Sequence, residues 1–170
     1  GDHQQAATSK TLISMLSDSS ARVQFFAAQS LGKLGNKDAA KPLVDLLRRN
    51  NNHDAYVRHA ATYALSLIGN LRALKAARDD DSAAVRLGVV IAYRHLKDAD
   101  VAYFLNDSDP FIVRETALAI NDAPINDAMP ALAAMLGKGD LDDEALQLRI
   151  INARLRVGRT EDAVALAAFA

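Results

Sequence analysis

The feature that most limits how this chain can fold is a repeat. The segments DSSARVQFFAAQSLGKLG, HDAYVRHAATYALSLIG, DSAAVRLGVVIAYRHL, DPFIVRETALAIND and DEALQLRIINARLRVG each place an acid or Asn ahead of a short gap and then an aliphatic residue, usually followed by Arg. The aliphatic anchors, Val23, Val57, Val85, Val113 and Leu148, lie 34, 28, 28 and 35 residues apart. A period in that range signals a stacked array, not a globule around one centre. At 1.5 Å rise per residue it accommodates two helices of about three turns and two short turns.

Apolar residues within the first helix of each pair recur at spacings of three and four: Val23, Phe26, Ala27 and Leu31 in one, Val57, Ala60, Ala61, Ala64 and Leu65 in the next. Such stripes need a neighbour, and one pair is too small to bury its own, so adjacent pairs must stack into a continuous core. Breaks fall at Gly35-Asn36, Gly69-Asn70, Asp122-Ala123-Pro124 and Gly158 within pairs, and at acid-rich stretches such as Asp79-Asp80-Asp81 and Asn106-Asp107-Ser108-Asp109 between them. The second helices read as residues 39–49, 71–78, 98–105, 127–136 and 161–169, and residues 5–16 as one further helix. Pro42 and Pro130 each follow an Asp or Asn by four residues, which suits a first helical turn, where the missing N–H costs little. The expected fold is all-α: a right-handed α-solenoid, an α-α superhelix of about five helix pairs. Its units run over approximately residues 5–17 (a half unit), 18–51, 52–79, 80–106, 107–139 and 140–170. Gly1 without Met, and a C-terminus that stops in mid-pattern, lead us to expect a piece of a larger protein.

Composition narrows the function. With 50% hydrophobic and 24% charged residues the 170-residue chain has a real core, which rules out disorder. No apolar run of about 18 residues is present, so no membrane span is expected. Zero Cys excludes disulfides, thiolate metal sites, Cys nucleophiles and covalent c-type haem within the segment. The net charge of -1 hides a division: residues 1–79 carry +5 and residues 80–170 carry -6. Such asymmetry orients partners, while the overall balance disfavours wholesale nucleic-acid binding.

The unit D-x(n)-V-R-x-x-A and the later P-L-V-D-L-L and P-A-L-A-A-M-L helices resemble HEAT-like α-solenoids across almost the whole chain. Residues 109–170, DPFIVRETALAINDAPINDAMPALAAML and then LQLRIINARLRVGRTEDAVALAAFA, are similar to the HEAT segment of the large PVC-type haem-binding proteins, often called membrane-bound dehydrogenases. In that family a sugar-dehydrogenase-like β-propeller precedes the repeats and a c-type cytochrome domain follows. The family's turn reads close to N-A-N-F-R-L-G, whereas Asn152 to Gly158 here lacks the second Asn and the Phe. The resemblance implies that redox chemistry resides in other modules, and that the parent is exported, periplasmic or at the cell surface. The segment itself leaves the compartment open.

Candidate sites follow from the repeat. Arg58, Arg86, Arg114 and Arg149 succeed the anchor in four units, Gln24 in the fifth, and form an expected structural ladder. Their guanidinium groups suit inter-unit carbonyls or carboxylates such as Asp54, Asp81, Asp109 and Asp143, residues equally suited to capping helices. A second set is basic: Lys41, Arg48, Arg49, Arg72, Lys75 and Arg78, with Lys37, in or beside successive second helices. These form a candidate partner-binding patch, against the plainer reading of a solvated face. His3, His53, His59 and His95 show no H-x-x-x-H spacing for a metal. No G-x-S-x-G turn, complete calcium loop or Gly-rich phosphate cradle occurs; carboxylates such as Asp79 to Asp81 and Asp140 to Glu144 sit in apparent inter-unit turns. No cofactor, catalytic residue or metal ligand is assigned. The expected function is a non-catalytic HEAT-repeat scaffold that binds a protein or neighbouring domains. Two alternatives stay open, a phycobilin-lyase-like HEAT protein holding an open-chain tetrapyrrole and a nucleic-acid-binding helical repeat. The latter is disfavoured by the absence of Trp.

Overall fold

A computed structural model describes residues 2–137 and 143–169. Among them every regular element is helical. The α-helices are α1 (Asp2–Met15), α2 (Ala21–Leu34), α3 (Ala40–Asn50), α4 (Ala55–Ile68), α5 (Leu71–Ala77), α6 (Ala83–Leu96), α7 (Pro110–Asp122), α8 (Met129–Ala133), α9 (Glu144–Val157) and α10 (Thr160–Phe169). Short 3-10 segments cover Lys37–Ala39, Ala99–Asn106 and Asn126–Ala128. The expected boundary between the last two repeats, at residues 139 and 140, lies outside the described residues, as does Asp140.

The boundaries have local causes. Asp54 accepts the backbone N–H groups of Tyr56 and Val57 at 2.8 and 3.0 Å and so caps α4. Asp109 caps α7 through Phe111 N at 2.9 Å, and Asp143 caps α9 through Leu146 N at 3.0 Å. Pro110 opens α7 at its first turn, where its missing donor costs nothing. Gly35, Gly69 and Gly158 end α2, α4 and α9 in the left-handed conformation that glycine adopts without penalty.

The chain divides into two compact units, residues 1–96 and 97–170. In the first, α2 packs along α4 and α4 along α6, while α3 lies against α4 and α6, and α1 against α2. Its core includes Leu31, Leu43, Leu47, Val57, Leu65, Val85 and Tyr93, all at most 1% exposed. In the second, α7 packs on the 3-10 segment Ala99–Asn106 and on α9, and α9 also meets α8 and α10. Its core holds Phe104, Ile112, Ile120, Leu132 and Ile150. Each unit is a short α-solenoid of stacked helix pairs.

Several expected details differ. The α-helix expected over 98–105 is instead the 3-10 helix Ala99–Asn106, capped by Asp98, whose threefold repeat aligns Val101 with Phe104, both buried. The helix expected over 127–136 begins as a 3-10 turn, and its α-helical part is only Met129–Ala133. Phe26, assigned to the buried stripe of α2, is 52% exposed; the buried positions are Ala27, Ala28, Leu31 and Gly32. Leu148, taken as the last anchor, is 58% exposed, and the core positions of α9 are Leu146, Ile150 and Ala153. The repeat register in α9 therefore begins two residues earlier, and the residue after the buried anchor is Gln147, not Arg149.

Candidate functional site

The basic set does not form one continuous patch. Lys41, Arg48 and Arg72 line a groove of about 370 Å³ between α3 and α5, with Val44, Ala73, Ala76 and Ala77 as its apolar part. Arg49 follows Arg48 by one residue and so points about 100° away around the helix. Its Nη2 donates to Leu16 O at 3.0 Å, closing the end of α1, and it lines a separate cleft with Ser17, Asn50 and His53. Lys75 is exposed beside the groove without lining it, and Arg78 sits 3.3 Å from Asp79.

Two carboxylates that sequence reasoning missed occupy the same groove. Arg48 donates to Asp45 within α3 and to Asp80 Oδ2 at 2.6 Å, with a second, longer contact from Nε to Asp80 Oδ1 at 3.4 Å. The hydrogen bonds from Arg48 hold the Asp80 carboxyl below the usual carboxylate range despite its partial burial, and Ser82 N adds a further donor. The same two carboxylates push the Arg48 guanidinium pKa above its ordinary value. Lys41 lies 3.8 Å from Asp45, too far for a good hydrogen bond. The spacing Lys41, Asp45, Arg48 is a legible helical i,i+4 and i,i+3 pattern. Asp80, 32 residues on, carries no such signal.

The Asp79-Asp80-Asp81 turn is held from both sides. Arg48 grips the Asp80 side chain, while Arg86 Nη1 donates to the carbonyls of Asp80 and Asp81 at 2.8 and 3.2 Å. The other expected ladder arginines are placed differently. Arg114 lies 3.8 Å from Asp143 and 5.1 Å from the centre of the Phe111 ring. Arg149 donates to Asp122 at 3.0 Å and back to Ala145 O in its own helix. Arg58 is half-buried, and makes no ion pair among the described residues. Of the carboxylates proposed as their partners, Asp54, Asp109 and Asp143 are N-caps, and Asp81 contributes its carbonyl.

A polar cluster in the second unit was also invisible in the sequence. Arg156 Nη1 donates to Asn121 O at 2.7 Å, Asn152 to Asn121 Oδ1 at 3.0 Å, and Arg149 to Asp122. Arg154 bridges Ala133 O at 2.8 Å and the buried Asp162 carboxylate at 2.8 Å, joining α8, α9 and α10. Residues 152–157 thus lie within α9, not in a turn, and Arg154 and Arg156 there make helix-joining contacts. Among the described residues no group of three His, Asp or Glu side chains could hold a metal, and no helix is long and apolar enough to cross a membrane.

These stacked helix pairs, with Asp54, Asp109 and Asp143 capping α4, α7 and α9, form an all-α repeat fold of the α-solenoid kind. Residues 1–66 match the family described as HEAT repeats. A solved engineered protein, a Northeast Structural Genomics Consortium target, is similar to the chain at 16% identity with a TM-score of 0.49, covering 95% of this chain and 84% of that one. No curated protein matches the chain.

Proposed function

We propose that the chain is a non-catalytic scaffold module that docks a partner protein, or a neighbouring domain of a larger parent, on the α3–α5 face of its first unit. The observation that carries this reading is the α3–α5 groove: an apolar floor flanked by Lys41 and Arg72, with Arg48 already neutralised by two carboxylates. Arg72 and Lys75 make no ion pair among the described residues, so they supply the residual positive charge. Repeat arrays bind through extended surfaces of this kind. The finer context is a multidomain, exported and redox-active parent, supported only by the likeness of residues 109–170 to the haem-binding family. A propeller upstream and C-x-x-C-H downstream in the parent gene would establish it.

The direct test is a pull-down with the parent's other domains, followed by kinetics. Reversing Arg72 and Lys75 together to Glu should slow association and flatten its dependence on ionic strength, since rim charges act chiefly on encounter rate. Unchanged association would move the binding face elsewhere. Incubation with bilin and haem, read by absorbance, tests the tetrapyrrole alternative in the same preparation.

A further inference from the structure

The first helix of the last pair, α9, keeps an apolar seam in water. Leu148 is 58% exposed and Leu155 64%, with Ile151 half-buried between them. With Glu144 these residues are spaced by four, three and four, the period at which side chains line a seam between two paired helices. The stripe lies away from the core positions Leu146, Ile150 and Ala153. Charge runs along it in one direction. Glu144, exposed at the start of the helix, makes no ion pair among the described residues, and no carboxylate follows in the sequence until Glu161. At the far end Arg154 is engaged by Asp162, and Arg156 by the Asn121 carbonyl. Arg159 lies 3.7 Å from Glu161, but both side chains are largely in water, so this pair is weak.

We propose that this seam pairs two copies of the chain, with α9 antiparallel to α9 of the second copy about a two-fold axis near Ile151. Leu148 and Leu155 lie on either side of that axis, so each leucine of one copy meets the other leucine of its mate. Glu144 then faces Arg159 across the interface, once from each copy. A parallel pairing would set like charges side by side, whereas the antiparallel one matches opposite charges and opposes the two helix dipoles.

A further stacked helix pair would not cover the whole seam. Counted from the buried anchors Leu146 and Val57, Leu155 holds the place of Ser66 in α4, and Leu148 that of His59. α4 is flanked by α2 and α6, and there Ser66 is 9% exposed while His59 still stands in water. Stacking therefore buries the Leu155 position and leaves that of Leu148 open, while an α9–α9 pair covers both. A 14-residue helix presents a strip about 21 Å long and about 10 Å wide, far short of the roughly 800 Å² per partner of a stable interface, so the pairing is weak.

The test is sedimentation velocity on the full chain from about 5 to about 500 µM, over which the mass should rise from one chain toward two. Leu148→Arg and Leu155→Arg should each weaken association by about tenfold or more, since symmetry counts every substitution twice. Melting curves check that each variant keeps its fold. Glu144→Lys should weaken pairing by repelling Arg159, and the added Arg159→Glu should restore it. Because the native chain has no Cys, Leu148→Cys mixed with Leu155→Cys should give a disulfide-linked heterodimer under mild oxidant faster than either variant links to itself. This cross-link reads the same contact should an arginine variant melt early. Reversal of Arg72 and Lys75 should leave pairing unchanged, which separates it from the α3–α5 face. The proposal is overturned if the chain stays monomeric over this range or if the charge swap fails to restore pairing. It is overturned equally if Leu155→Arg disrupts association while Leu148→Arg does not, the pattern that end-to-end stacking of repeats would give.

Discussion

In unit one, neighbouring first helices meet through missing side chains. A Cβ on Gly32 of α2 would lie 2.8 Å from Ala64 Cα of α4, and one on Gly88 of α6 would run into Leu47 of the second helix α3 and come within 3.5 Å of Thr62 of α4. In unit two the corresponding contact, α7 against α9, runs through Asn121, Asp122, Arg149, Asn152 and Arg156. The first arrangement relies on close backbone approach and dispersion, the second on directional hydrogen bonds to groups that are partly desolvated. One repeat architecture is therefore assembled in two ways along a single chain. The difference teaches that a stacking contact can be kept by removing a side chain or by adding a polar one.

The largest expected effect comes from filling the close approach. Gly32→Val should cost about 3 kcal/mol or more, because the clash is with backbone and the helices must separate. A denaturation midpoint close to wild type would show that the approach of α2 and α4 is dispensable. Next comes the polar counterpart in unit two. Asp162→Ala should cost about 2 to 4 kcal/mol by leaving Arg154 without its carboxylate, the lower end applying because Arg154 keeps some contact with water. Hydrogen exchange should place the loss in α8–α10, and a loss spread equally over α2–α6 would contradict the contrast between units. Arg156→Ala should cost about 1 to 2 kcal/mol by exposing the last carbonyls of α7; exchange rates near Asn121 check it.

The smallest effect is a pH dependence in unit one. Partial burial holds the His95 imidazole below its ordinary pKa, with Arg94 and His59 adding repulsion. A lowered histidine pKa means that the folded chain binds fewer protons than the unfolded chain just below about pH 6.5. Stability should therefore decline as pH falls through that value, then level off once the folded-state ring protonates. The size is about a few tenths of a kcal/mol, since the ring is largely in water. His95→Gln should flatten this part of the profile, and an unaltered slope would assign it to another group.

Much of the fold was legible because its signals are local. The Asp residues before α4, α7 and α9, the glycines after α2, α4 and α9, and Pro110 and Pro130 are short-range chemistry, and the structure uses them as caps and starts. Burial was less legible, because an apolar residue does not record which side of the helix its neighbour occupies. Phe26 and Leu148 fit the apolar period yet face water, while Gly32, which no hydrophobicity pattern would select, lies directly against the backbone of α4. The basic set divides between two clefts for a similar reason. Arg48 and Arg49 are adjacent in sequence and diverge around the helix, and one of the two carboxylates that engage Arg48, Asp80, lies 32 residues away.

The end of α7 has a consequence for the order in which the chain can fold. α2 and α4 close with their own left-handed glycines, whereas α7 ends at Ala123 with φ -92°, and its Asn121 carbonyl is taken by Arg156 from α9. A glycine cap forms as soon as the helix does. The Asn121 carbonyl at the end of α7 is satisfied only once a side chain 35 residues later has arrived, so completing the end of α7 is tied to the docking of α9, whereas the glycine ends of α2 and α4 are closed by bonds within their own segments.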